Sequence, residues 1–254
     1  MSRAALSPRK VALVTGAAKR LGAVMAQALA GAGYCLVLHA RHSMAEAEAL
    51  QARLAATGAK AAVISGDLAV LSSLPALYEA ACQPFGPPDL LINNASLFHQ
   101  DSVESLDPAA FSTNLAVNLQ APVLLAALFA KALPGGERGA VINIIDQRVL
   151  RPNPQFFSYT LAKSALYTAT KTLAQALAPR IRVNGVGPGP TLPNIHDGMA
   201  GFEAEARGTL LGEVVAPEAI AEAALYLAHA RHVTGQMIAV DSGQHLGWCT
   251  PDIV

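Results

Sequence analysis

Short apolar runs alternate with longer alanine- and leucine-rich stretches along the whole chain. KVALVT (10–15), YCLVLHA (34–40), AAVISGD (61–67), LLINNAS (90–96), GAVINII (139–145), RIRVNGVG (180–187) and QMIAVDSG (236–243) are brief and largely β-branched, and they predict buried strands. Amphipathic or alanine-rich segments near 22–32, 44–57, 72–84, 113–133, 157–178 and 217–230 predict helices between them. Alternation at this pitch implies an α/β fold: a doubly wound parallel sheet of about seven strands with helices on both faces. No repeat, low-complexity tract or linker divides residues 1–254, so a single domain is expected. Ligands of such sheets bind beyond the carboxyl ends of the strands. The strand ends are therefore where chemistry is to be sought.

Composition narrows the classes. The 254 residues are 52% hydrophobic but only 5% aromatic, which suits helices packed closely on a sheet. Formal net charge is zero and charged residues make up 14%, so no basic field for nucleic acid or acidic membranes is expected. Cys35, Cys82 and Cys249 lack metal-ligand spacing, as do His229, His232 and His245; no metal is expected, and the cysteines read as free thiols of a reducing compartment. MSRAALSPRK has no signal-peptide core and no run of about 18 apolar residues is seen, so a soluble, cytoplasmic protein is the expectation.

The first strand runs into TGAAKRLG (Thr15–Gly22), where Gly16 permits a tight turn and Gly22 close helix–sheet packing. The helix start that follows suits a pyrophosphate, as in a Rossmann-type site. The second strand ends in HARHS (His39–Ser43). Arg41, with His42 and Ser43 behind it, offers a guanidinium fork, an imidazole and a hydroxyl to a 2′-phosphate, which favours NADPH over NADH. Asp67 ends the third strand and suits either the adenine amino group or the cap of the next helix. The fourth strand ends in NNAS (Asn93–Ser96), followed by Phe98, either a lid aromatic or core filler.

The densest chemistry lies in DQRVLRPNPQFFSYTLAK (Asp146–Lys163). Tyr159 and Lys163 are four apart and share a helix face. The ammonium is expected to lower the phenol pKa from its usual value of ~10, making Tyr159 a proton donor near neutral pH. Burial of Asp146 would raise its pKa while Lys163 would lower it, and sequence does not decide between them.

Together these residues resemble the short-chain dehydrogenase/reductase family over essentially the whole chain. The match rests on Thr15–Gly22, Asp67, Asn93–Ala95, Asn118 in NLAVNLQAP, Tyr159 with Lys163, RVNGVGPGPTL (Arg182–Leu192) and VDSG (Val240–Gly243). Three departures are similar to its pteridine reductase branch: Arg20 stands for the middle glycine, NNAS replaces NNAG, and Asp146 takes the place of the usual serine, thirteen residues before Tyr159. The resemblance implies a catalytic set of Asp146, Tyr159 and Lys163, with Asn118 holding a helix distortion. It implies an NADPH site along Gly16, Lys19, Arg20 and Leu21, then His39, Arg41, His42 and Ser43. Asp67, Leu68, Asn94, Ala95, Ser96, Pro188 and Gly189 continue that site, together with Tyr159 and Lys163. A pterin would meet Arg20, Ser96, Phe98, Asp146 and Tyr159, with residues 188–213 as a substrate loop that includes His196 and Asp197. A homotetramer is also implied; separately from the resemblance, the tail GWCTPDIV is expected to reach a neighbouring subunit's site. The expected activity is NADPH-dependent reduction of dihydromonapterin, dihydrobiopterin or dihydrofolate. A carbonyl reductase of a 3-oxoacyl or sugar ketone and a non-catalytic NADP-binding sensor remain as alternatives.

Overall fold

The computed structural model describes residues 10–193 and 198–248; His196, Asp197 and the end of the tail lie outside them. The strands are β1 (Val11–Val14), β2 (Cys35–Ala40), β3 (Ala61–Ser65), β4 (Leu90–Asn93), β5 (Gly139–Ile144), β6 (Ile181–Pro188) and β7 (Met237–Val240). They form one sheet in the order β3-β2-β1-β4-β5-β6-β7, and every pairing is parallel. Val14 is flanked by Leu38 on one side and Ile92 on the other. The order reverses between β1 and β4, so the crevice of the switch point opens there.

Side-chain alternation sorts the core into two layers. Ala12, Val14, Leu36, Leu38, Ile92 and Ile142 face α1 (Arg20–Gly31), α2 (Met44–Ala56) and α8 (Pro217–His229). Val11, Leu13, Val37, Leu91 and Val141 face α3 (Leu74–Cys82), α5 (Ala121–Ala132) and α6 (Phe157–Leu177). With both faces covered, the strands carry continuous apolar runs, which is why they were readable.

Two helical features depart from expectation. The helix expected over 113–133 starts earlier, as α4 (Pro108–Leu115), and passes into α5 through a π-turn at Ala116–Gln120, which is the helix distortion expected at Asn118. This stretch, Pro108–Ala132, is long and apolar enough by composition to span a bilayer, yet Leu125, Ala126 and Phe129 are spent on the sheet. Secondly, α7 (Gly198–Arg207) lies inside the segment expected to be loop. Cys35 and Cys82 are free thiols.

Candidate active site

At the switch point, side chains tie the first turn to β4. Thr15 Oγ1 accepts from the N–H groups of Asn94 (2.9 Å) and Ala95 (3.0 Å). Asn94 Nδ2 donates back to the carbonyls of Thr15 and Gly16. Gly16 has φ +62°, and a Cβ there would come within 2.9 Å of Ala95 Cα. A Cβ at Gly22 would run into the Gly16 carbonyl. Both glycines are thus required by close approach, not merely by flexibility. His39 is buried below this turn: Nδ1 accepts from Gly16 N–H at 3.2 Å, which leaves Nε2 to donate to Gly66 O at 3.0 Å. Burial lowers its pKa, consistent with a neutral ring holding both bonds.

Arg20 keeps a left-handed backbone, φ 52°, so the side chain standing in for a glycine still adopts a glycine-like conformation, one a non-glycine residue takes up only at a cost. Its guanidinium donates to the carbonyl of Pro193 at 3.0 Å, tying the first turn to the segment after β6. Lys19 pairs with Glu46. Arg41 lies 3.4 Å from Asp67. Asp67 caps no helix; its Oδ1 accepts from Ala69 N–H at 2.9 Å, the main cause holding its pKa down.

Asp146 lies two residues past β5 and opens a single 3-10 turn, accepting from Arg148 N–H on Oδ1 at 2.8 Å. Its Oδ2 accepts from the Tyr159 hydroxyl at 2.7 Å. Lys163 Nζ donates to Ile144 O at 2.7 Å and lies 5.6 Å from the Tyr159 ring centroid. Burial dominates all three titrations. It raises Asp146, lowers Lys163 to about 8, and raises Tyr159 well above its usual value, with the Asp146 carboxyl pushing Tyr159 the same way. The expected lowering of the phenol by Lys163 is therefore corrected. The group in contact with the phenol is an acid, and the ammonium is turned to a backbone carbonyl.

Asn118 sits fully buried inside the π-turn. Its Oδ1 accepts from Ser96 Oγ at 2.7 Å, and its Nδ2 donates to Leu97 O at 2.8 Å. Phe98 stacks on Phe156 with centroids 4.0 Å apart and meets the Tyr159 ring edge-on at 4.8 Å. Phe156 precedes α6 with φ 52° and supplies no side-chain cap. Asp101, 57 residues before Ser158, does so instead: its carboxylate accepts from Ser158 N–H at 3.1 Å. That bond fixes the start of the helix that presents Tyr159.

One cavity of about 490 Å³ joins the two ends of the site. It is lined by Gly16, Lys19, Arg20, Leu21, His39 and Arg41 at the first two strand ends, and by Asp67, Leu68, Asn94, Ala95, Ser96 and Phe98 at the next two. Asp146, Tyr159, Lys163, Pro188 and Gly189 complete the expected set. His42, Ser43 and Asn118 do not reach it; Asn118 lies beneath Ser96. Thr191, Phe202 and Glu205, from the expected substrate loop 188–213, also line it, as do Gln147, Arg148 and Gln244, which were not anticipated. Gln147 and Arg148 could have been flagged by adjacency to Asp146, whereas Glu205 and Gln244 carry no spacing signal.

A glycine turn at the switch point of a doubly wound sheet, joined by one cavity to a buried acid, phenol and ammonium, defines an oxidoreductase of the dinucleotide-dependent type. The family model described as enoyl-(acyl carrier protein) reductase matches residues 16–245. The chain superposes on the crystal structure of FolM, alternative dihydrofolate reductase 1, from Brucella canis complexed with NADP. The TM-score is 0.93 and the identity 46%, over 96% of this chain and 97% of that one. It is 37% identical to an uncharacterized oxidoreductase of Methylorubrum extorquens, over 92% of this chain and 97% of that protein. It is 32% identical to pteridine reductase 1 of Leishmania tarentolae, over 93% and 96% respectively. The chain belongs to the short-chain dehydrogenase/reductase family, in its pteridine-reductase-like branch.

Proposed function

We propose that this protein is an NADPH-dependent reductase of dihydropterins or dihydrofolate. The observation that carries the reading is the 2.7 Å contact between the Tyr159 hydroxyl and the Asp146 carboxyl inside the cavity. The residues present fit the dinucleotide: Gly16 and Gly22 let the first turn pack closely on Ala95 and on the turn's own carbonyl at the cavity wall, and the cap residue of α1, Lys19, makes no side-chain cap bond to the helix start. Arg41, beside Asp67 on the cavity wall, is suited to the 2′-phosphate. When bound, NADPH supplies the hydride.

The chain's own groups manage the proton. Tyr159 is kept as a neutral phenol and delivers its proton to the substrate nitrogen as the C=N bond is reduced. Asp146, whose pKa burial raises, takes up a proton in its acid form and returns it to the phenolate across the 2.7 Å contact, the bond then running from carboxyl to phenol oxygen. Lys163, anchored on Ile144 O, holds positive charge close to the phenol as its proton leaves. A ketone needs only a phenol and a hydroxyl, so a carboxyl in this place favours a nitrogen acceptor. Residues 188–213, which bring Thr191, Phe202 and Glu205 to the cavity, serve as the substrate loop in this reading. Leu124 and Leu161, exposed on the outer sides of α5 and α6, suit a homotetramer interface.

Purified protein with NADPH and a panel of dihydropterins and ketones should consume reduced cofactor with the dihydropterins. Asp146→Ser should lower that turnover at least 100-fold while leaving NADPH affinity within about threefold. Full dihydropterin activity in Asp146→Ser, or turnover of ketones alone, rejects the proposal.

A further inference from the structure

Five buried side-chain atoms have no hydrogen-bond partner among the described residues: Tyr78 Oη, Asn93 Oδ1, Asn114 Nδ2, Gln147 Oε1 and Gln244 Oε1. Only the two glutamines line the cavity. In both, the unpartnered atom is an acceptor. Burying such an oxygen without a donor is unfavourable, and native structures rarely leave one so without a reason.

The two glutamines come from different parts of the sheet. Gln147 directly follows Asp146 at the end of β5 and is 6% exposed. Gln244 follows β7, and its Nε2 donates to Glu205 Oε1 on α7 at 2.7 Å. That bond commits the amide nitrogen and leaves Oε1 as the end still to be satisfied. Glu205 lines the cavity as well and, when ionised, only accepts. The terminal torsion of a glutamine is soft, so a small turn presents its oxygen to a ligand. Two acceptors on the cavity wall are therefore left without a donor from the protein.

We infer that Gln147 and Gln244 are specificity-determining residues that accept hydrogen bonds from substrate N–H groups. They select a planar nitrogen heterocycle with N–H donors on its rim and reject a ketone, which brings only lone pairs and leaves both oxygens unpaired. This rests on the reductase reading above and adds the groups that recognise its substrate. Binding and proton transfer are then divided: the glutamines hold the rim, and Tyr159 with Asp146 serves the reacting bond.

The test is titration calorimetry of pterin (2-amino-4-oxopteridine) into NADP⁺-loaded wild type, Gln147→Met and Gln244→Met, with melting curves of each. Methionine keeps the length and removes the acceptor, together with the amide nitrogen. Wild type should bind pterin, and each variant should bind it 5- to 50-fold more weakly. NADP⁺ affinity should stay within twofold in both, and Tm of Gln147→Met should be no lower, because an unsatisfied polar atom has been removed; Gln244→Met also gives up the bond to Glu205, so for it the comparison is pterin against NADP⁺ affinity. A merely structural glutamine would instead weaken NADP⁺ and pterin binding alike and, at position 147, lower Tm. Should Gln147→Met not fold, Gln244→Met carries the same comparison. Unchanged pterin affinity in the folded variants overturns the inference and leaves the reductase reading standing if NADPH turnover of dihydropterins persists. Absence of pterin binding by wild type overturns it as well. Variant-sensitive pterin binding without any NADPH turnover upholds recognition and removes the reductase reading.

Discussion

The two rims of the sheet look alike electrostatically and differ in what they do. At the amino rim, burial raises Asp89 to about 6 and Tyr34 to about 12. At the carboxyl rim, burial raises Asp146 and brings Lys163 down to about 8. Yet the amino-rim groups are occupied by the scaffold itself. Asp89 accepts from Val11 N–H at 2.8 Å, Lys10 donates to Ala32 O, and Arg182 donates to the carbonyls of Leu227 and Ala228. Tyr34 meets His229 at 3.2 Å. The carboxyl rim opens onto a cavity and keeps acceptors unfilled. A perturbed titration therefore marks burial, and marks a functional site only where space for a ligand adjoins it.

The contrast should be widest in Tyr159→Phe. Loss of one oxygen removes the proton donor, so kcat should fall by about two to four orders of magnitude. The ring, and hence the edge contact with Phe98, is kept. NADPH affinity should hardly move, and Tm should fall only modestly as Asp146 Oδ2 loses its donor. A stopped-flow burst that survives the substitution, or a large drop in Tm, would mean that the hydroxyl is scaffold like its amino-rim counterpart Tyr34.

Next in size is the alkaline limb of the pH profile. Lys163 loses its proton near pH 8 because burial disfavours the ammonium, against the pull of Asp146. In the free enzyme kcat/KM should decline as pH rises through about 8. Stability should run the other way. The folded pKa lies below the ordinary 10.5, so the unfolded chain binds more protons between about 8 and 10.5. This group's share of stability is complete above 10.5 and is lost as pH falls through 8. Lys163→Arg, charged throughout, should erase the limb. A limb that persists in that variant belongs to another group.

Much of this was legible in the residues, for reasons that differ by element. Buried strands such as Leu90–Asn93 declare themselves because both faces need apolar side chains. Tyr159 and Lys163 are legible because helical spacing guarantees a shared face. The π-turn at Asn118 was invisible to periodicity, since one wide turn shifts the phase only locally. Helix α7 was missed because GMAGFEAEAR is short, glycine-bearing and mostly exposed, leaving little apolar face to read. The Asp101 cap on α6 and the Gln244–Glu205 bond join residues 57 and 39 apart, and only the folded topology supplies such contacts. The sign of the Tyr159 shift was misjudged for a related reason: sequence gives which charges are near, but not which one makes the hydrogen bond.

The smallest effect tests the amino rim alone. Asp89 has a folded pKa of about 6 against an ordinary 3.8, mainly because burial disfavours its charge. The folded chain therefore holds that proton more tightly than the unfolded one. The resulting stability is complete below pH 3.8 and is lost as pH rises through about 6. Asp89→Asn keeps an oxygen for Val11 N–H and removes the charge. It should be more stable than wild type in melts at pH 7, by a margin that closes toward pH 4. Solvent reaching this partly open carboxylate keeps the margin modest. Turnover should be unaffected, because nothing at this rim touches the cavity. An Asp89→Asn protein with wild-type stability at pH 7 would show that the carboxylate is not strained by burial. One with reduced kcat would show that the two rims are coupled through the strands between them.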